Sequence, residues 1–151
     1  MIIRPPELSE CSELSELCLR SKAHWGYDEE FIEACREELT ITERIMRNSE
    51  LAVADEDGKV LGVVQVDILS GPCVLEKIFV APEAIGKGVG KRLFRWAVAK
   101  AKENGVFSFT IDGDPNAVPF YEHMGAVQIG SSPSGSIPGR MLPQFRYELE
   151  D

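Results

Sequence analysis

Two hydrophobic rhythms run through the chain. Leu8, Cys11, Leu14, Leu17 and Cys18 recur at helical spacing and predict a helix over 7–19, with Ser9 and Ser12 or Glu13 offering N-cap chemistry. Phe31, Ile32, Cys35 and Leu39 share one face of a second predicted helix that starts at Asp28, with glutamates opposite. Residues 21–27 read as the break between them. Strand rhythm takes over elsewhere. Residues 1–4 read as an edge strand closed by Pro5-Pro6, and 51–54 and 60–68 as a hairpin turning at Asp57-Gly58. Ser70-Gly71-Pro72 turns the chain into a strand that ends at Val80. The longest predicted helix covers 88–104 and stops at Gly105. A strand over 107–111, a short helix over 117–124 and a strand over 127–129 follow. A Ser/Pro/Gly-rich loop over 131–142 and a closing strand over 145–149 end the chain. Without repeats or a linker, this pattern predicts one α/β domain over 1–151, with an antiparallel start and a mixed sheet.

The 151 residues suffice for one such domain, and 44% hydrophobic with 27% charged residues is ordinary globular composition. No apolar run of about 18 residues predicts a membrane span, and the start of the chain lacks a signal-peptide pattern. Cys11, Cys18, Cys35 and Cys73 have no metal-site spacing and read as buried free thiols. With His24 and His123 the only histidines, a His-based metal centre is not expected. A reducing cytoplasm fits this cysteine usage. The net charge of −9 disfavours nucleic acid or an anionic membrane as partner and does not hinder a cationic acceptor.

The most chemical stretch is 80–94, VAPEAIGKGVGKRLF. A strand runs into Gly86, Gly88 and Gly90, with Lys87 and Lys91 beside them, and then into a helix. Strand, glycine loop and helix aim unpaired N–H groups at an anion. A P-loop would need glycine at Ile85 and Ser or Thr at Arg92, and a dinucleotide fingerprint would need glycine at Lys91. Neither fits. On pattern alone, a tight turn with no ligand stays open.

The segment 80–106 resembles the acetyl-CoA-binding segment of the GNAT superfamily of N-acetyltransferases, whose signature is Gln/Arg-x-x-Gly-x-Gly/Ala after a strand ending in apolar-x-Val. Here these are Ile85-Gly86-Lys87-Gly88-Val89-Gly90 and Ile78-Phe79-Val80, with Ile85 where the family usually has Gln or Arg. A second match runs through Asp114-Pro115-Asn116-Ala117, Phe120-Tyr121-Glu122 and Gly125-Ala126, in the family's order. The resemblance implies a mixed, mostly antiparallel central sheet, splayed at the middle, with helices on both faces. It also implies transfer of an acetyl group from acetyl-CoA to a primary amine by direct attack, through a tetrahedral intermediate and without a metal. A homodimer is a frequent assembly in that superfamily.

The same resemblance implies that backbone groups of Ile78 and Val80 bond the pantetheine like an added strand, with Phe79 also among the cofactor-binding residues. It implies that N–H groups from Gly86, Lys87, Gly88, Val89, Gly90 and Lys91 hold the pyrophosphate, and that Asn116 contacts the pantetheine. Lys87 and Lys91 are alternatively solvated lysines, and Asn116 alternatively a helix N-cap. Tyr121 is expected to protonate the leaving thiolate; the alternative is a core tyrosine. A base must deprotonate the ammonium. Strand alternation would put Glu76 on the face of Ile78 and Val80, beside the splay, with Asp112 and Asp114 as backups; the alternative for Glu76 is a surface carboxylate.

The acceptor site is expected at 21–28, where His24, Trp25, Tyr27 and Asp28 suit recognition of an amine. Asp112 lies across the cleft, and Arg140 could bind a substrate carboxylate. A plain helix corner and a surface arginine are the alternatives. No cysteine falls in the cleft motifs, so no acetyl-enzyme is expected. The aromatic corner and long loop favour a small-molecule amine over a peptide. A non-catalytic acyl-CoA sensor remains the rival reading, kept open by Ile85.

Overall fold

The computed structural model describes residues 1–69 and 71–149. Seven strands form one sheet in the order β1-β2-β3-β4-β5-β7-β6. They are β1 (Ile2–Arg4), β2 (Glu50–Glu56), β3 (Lys59–Asp67), β4 (Val74–Val80), β5 (Ser108–Asp112), β6 (Val127–Pro133) and β7 (Met141–Glu148). Every neighbouring pair is antiparallel except β4 with β5. Five α-helices accompany them: α1 (Cys11–Ala23), α2 (Glu29–Leu39), α3 (Glu43–Asn48), α4 (Val89–Glu103) and α5 (Val118–His123). The fold is mixed α/β with helices on both faces, as expected.

β4 and β5 hold the functional half of the sheet. Their parallel pairing covers only Val74 with Thr110 and Leu75 with Ile111, after which the strands part. α4 packs on one face, where a Cβ on Gly62 would lie 2.9 Å from Leu93 Cδ1. This close approach is what requires glycine there. α1 and α2 lie on the other face, with Leu14, Leu17, Cys18, Cys35 and Leu39 buried.

Several local readings change. α1 runs on to Ala23, so the break shrinks to the turn at His24–Gly26. Its N-cap residue is Glu10, not Ser9, and makes no side-chain cap bond to α1; the Glu10 carboxylate instead accepts the Glu7 N–H at 2.8 Å, closing the capping box of a 3-10 turn over Leu8–Glu10. α3 has no counterpart in the pattern reading: it is a short helix capped by Thr42, with no fully buried residue to mark a face. β6 and β7 reach into the stretch read as a loop and leave only 134–140 between them. Pairing explains this, because Ser131, Ser132 and Pro133 lie opposite Pro143, Leu142 and Met141. The turn at Ser70-Gly71-Pro72 includes Ser70, which lies outside the described residues. α2 starts from its N-cap Asp28 as expected, with the Asp28 carboxylate accepting the Phe31 N–H at 2.8 Å; the four cysteines are free, Cys18, Cys35 and Cys73 buried as expected and Cys11 only half-buried.

Candidate functional site

The parting of β4 from β5 opens a cavity of about 680 Å³, within the range of small-molecule sites. Its floor is one edge of β4. Ala81 donates its N–H to Leu61 C=O at 2.8 Å, and Phe79 lies opposite Val63, so odd-numbered backbone groups face β3. Those of Ile78 and Val80 therefore face the cleft. Phe79, also expected at the cofactor, lines the cavity, while its backbone groups face β3.

The glycine loop closes one end. Gly86 and Gly88 take φ of +85° and +80°, a left-handed backbone that side chains resist. Gly88 is the N-cap of α4, so the N–H groups of Val89, Gly90 and Lys91 sit in a first turn without helical partners. Gly90 lets α4 pack close to Phe120: a Cβ there would stand 3.1 Å from the ring. Lys87 departs from the expectation. Its N–H donates to Ala84 C=O at 3.3 Å and it does not line the cavity, whereas Lys91 does.

Tyr121 is buried against Phe120 and Phe145, at ring distances of 5.3 and 5.4 Å. Its hydroxyl has no hydrogen-bond partner among the described residues, and the residue lines the cavity. Burial, helped by the Asp114 charge, pushes its phenol above the ordinary range, so it holds its proton at neutral pH.

Glu76 also lines the cavity, but not through strand alternation. Lys77 lies opposite Gln65 and Leu75 opposite Val66, which leaves Glu76 as an extra residue in a β-bulge. Leu75, not Glu76, therefore shares the face of Ile78 and Val80. Burial raises the Glu76 carboxyl above the usual range against the pull of Lys77, and the charges of Asp67, Asp112 and Glu38 add to it. Lys77 is held in place by donating to Gln65 Oε1 at 3.0 Å, and burial lowers its ammonium pKa.

Opposite the glycine loop stands a polar network that the pattern reading saw only in pieces. Tyr27 donates to the Asp114 carboxylate (3.0–3.1 Å) and accepts from Asn116 Nδ2 at 3.1 Å and Arg140 Nη2 at 2.7 Å. One donor and two acceptor positions use up its hydroxyl. Lys22 Nζ lies 2.9 Å from Asp114. Burial opposes the Asp114 charge, yet the Lys22 contact, the Asn116 N–H and Tyr27 together hold its carboxyl below the usual range. Tyr27 stacks on Phe31 at 4.1 Å, and the Arg140 guanidinium lies over both rings, 5.2 and 4.9 Å away.

The expected acceptor residues therefore divide. Trp25, Asp112 and Arg140 line the cavity; His24 and Tyr27 do not. His24 is exposed and edge-on to Trp25, and Tyr27 stands behind the wall as a brace. Asn116 lines the cavity, but its amide is turned to Tyr27 and Asp114, and Asp114 is the cap of its turn. Lys22, Glu38 and Lys77 also line the cavity and were missed, because long charged side chains carry no spacing signal. Cys35 lines it too, against expectation. It is buried and 3.6 Å from Ser136 Oγ.

A profile of the acetyltransferase (GNAT) domain matches residues 8–135. The fold is similar to that of a GCN5-related N-acetyltransferase from Rhodopseudomonas palustris (TM-score 0.83, 21% identity, covering 98% of this chain and 95% of that one). It is also similar to the PaiA N-acetyltransferase of Thermoplasma acidophilum, solved with coenzyme A (TM-score 0.80, 19% identity, 97% and 98% covered). A third similar structure is yncA, a putative acetyltransferase of Salmonella typhimurium, solved with acetyl-CoA (TM-score 0.72, 18% identity, 100% and 95% covered). No curated protein sequence matches the chain at a significant level.

Proposed function

The chain belongs to the GNAT acetyltransferase family and is an acyltransferase, and we propose that it moves an acetyl group from acetyl-CoA to the primary amine of a small molecule. One observation carries this reading. The free edge of β4, at Ile78 and Val80, lines one charged cavity together with the α4 N-terminus, Tyr121 and Glu76.

The residues fit the donor. Free N–H groups at the start of α4 suit a pyrophosphate, with a helix-dipole contribution of about 0.3–1 kcal/mol. The open edge of β4 suits an extended pantetheine arm, bound as an added strand. The Thermoplasma and Salmonella proteins bind coenzyme A and acetyl-CoA respectively, which supports the same donor here.

In the proposed reaction the donor supplies an activated thioester. Glu76 takes the ammonium proton, directly or through water, and its raised pKa makes it a stronger base than an exposed glutamate. The amine attacks the carbonyl, and the Val80 N–H, facing the cleft, can donate to the developing oxyanion. As the C–S bond breaks and the carbonyl re-forms, Tyr121, kept protonated by burial, delivers its proton to the leaving thiolate, and the second proton lost by the attacking nitrogen returns through water to the tyrosine oxygen.

The test is acetyl-CoA-dependent thiol release with amino acids, polyamines, aminoglycosides, aryl amines and short peptides, run beside Tyr121→Phe. Release with one small-amine class, reduced in the variant, supports the reading. Release with peptides alone moves the acceptor to proteins. Acetyl-CoA binding without release across the panel overturns turnover in favour of a sensor.

A further inference from the structure

The geometry points to an acceptor that carries a carboxylate as well as its amine, an amino-acid-like zwitterion held through the carboxylate by Arg140 and Lys22. This inference rests on the acceptor reading above and narrows it.

The acceptor half of the cleft has two electrical poles. At one, two cations share a single carboxylate. Lys22 and Arg140 lie 2.9 and 3.6 Å from Asp114 Oδ2, and all three side chains are largely buried, at 12%, 18% and 11% exposure. One positive charge is in excess there, in a chain whose net charge is −9. At the other pole stand Glu38, Glu76 and Asp112, all lining the same cavity; Lys77, which lines it too and donates to Gln65, offsets one of these three charges and leaves a negative excess. None of these three forms a salt bridge among the described residues. Glu38 and Asp112 both raise the cost of ionising Glu76, a mutual repulsion that a bound ammonium relieves.

Arg140 is built as a receptor. Its guanidinium plane is fixed over Tyr27 and Phe31, and Nη2 is engaged by the Tyr27 hydroxyl. Nε and Nη1 have no hydrogen-bond partner among the described residues. A stacked, immobilised guanidinium with donors to spare in a partly buried wall matches the planar, two-oxygen geometry of a carboxylate. A simple amine would leave those donors unpaired as water is displaced. A polyamine would bring a second cation towards the positive pole. A zwitterion satisfies both poles and delivers its amine on the Glu76 side.

The test compares matched pairs that differ only in the carboxylate: tyrosine with tyramine, phenylalanine with phenethylamine, and ornithine with putrescine. Thiol release is measured for the native chain, Arg140→Gln and Arg140→Lys, with thermal unfolding as the check on folding. In parallel, calorimetry on CoA-saturated protein compares N-acetyltyrosine with N-acetyltyramine, a binding readout that needs no turnover. The expected result is a kcat/KM at least about tenfold higher for the carboxylated member of the favoured pair, an effect of about 1.4 kcal/mol. Arg140→Gln should collapse that ratio through KM, and Arg140→Lys should restore part of it. Equal or better use of the decarboxylated amines overturns the inference, as does an Arg140→Gln effect equal for both members. Carboxylate-selective product binding that Arg140→Gln abolishes, in a chain that acetylates no amine, supports the subsite and overturns the transferase reading. Equal binding of the two products overturns the subsite itself.

Discussion

Arg140 donates to the hydroxyl of Tyr27 at 2.7 Å, joining two residues 113 positions apart in the chain. The bond ties the loop before β7 to the turn before α2 and sets the cationic wall of the cleft. Tyr27 never reaches the cavity, so its part is to position Arg140 and Asp114. Tyr27→Phe keeps the Phe31 stack and removes every hydrogen bond of the hydroxyl. Hydrogen bonds to charged groups contribute about 1.5–3 kcal/mol each. The acceptor KM should rise about tenfold, with a smaller change in kcat and little change in the KM for acetyl-CoA. Steady-state kinetics with both substrates varied checks this; an unchanged acceptor KM removes Tyr27 from the site.

Tyr121→Phe keeps the ring packing against Phe120 and Phe145 and deletes only the hydroxyl proposed as the acid. Turnover should fall by about 10²–10⁴-fold, the usual contribution of a positioned general acid. Donor affinity should hold. A variant with native kcat would return Tyr121 to the role of a core tyrosine.

Glu76 carries a pH signature. A base must be ionised to act, and burial disfavours its charge, so kcat/KM should rise with pH at values above the ordinary glutamate range. The stability effect has the opposite sign. A carboxyl pKa raised in the folded state favours the protonated fold, a contribution present at low pH and lost as pH rises through the folded-state pKa. Glu76→Gln should therefore lower turnover, remove this limb of the pH profile, and unfold no earlier than the native chain at pH 7. A pH–rate profile with parallel thermal melts decides; an unaltered profile in the variant excludes Glu76 as the base.

Gly113 supports Tyr121, the proposed acid, from behind. Its N–H donates to Pro143 C=O at 2.9 Å, and a Cβ would stand 2.8 Å from Tyr121 Cε2 and 3.4 Å from Phe145 Cε2. The backbone is pinned and the ring is packed, so neither yields easily. Gly113→Ala should cost about 1–3 kcal/mol as overpacking and lower kcat by displacing Tyr121. Denaturant unfolding and single-turnover rates measure the two effects. Native stability in the variant would show that the ring moves freely.

The sequence by itself determined the elements whose signals are local. Asp57-Gly58 marks its hairpin, Asp28 caps its helix, and the glycines before α4 dictate a loop that exposes N–H groups at a helix start. These depend on neighbours a few residues away, so spacing reveals them, and they include the glycine loop proposed to hold the donor. Tertiary structure decided the rest. Whether Glu76 shares a face with Ile78 depends on a bulge set by pairing with β3, and alternation within β4 contains no trace of it. The extent of β6 and β7 depends on each pairing with the other, which turned both ends of a Ser/Pro/Gly-rich stretch into strand. Lys22, Glu38, Asp114 and Arg140 come from four separate segments. They meet because β4 and β5 part where α1, α2 and the loop before β7 converge. Long-range packing made that wall, and the order of residues along the chain holds no local energy term that marks it.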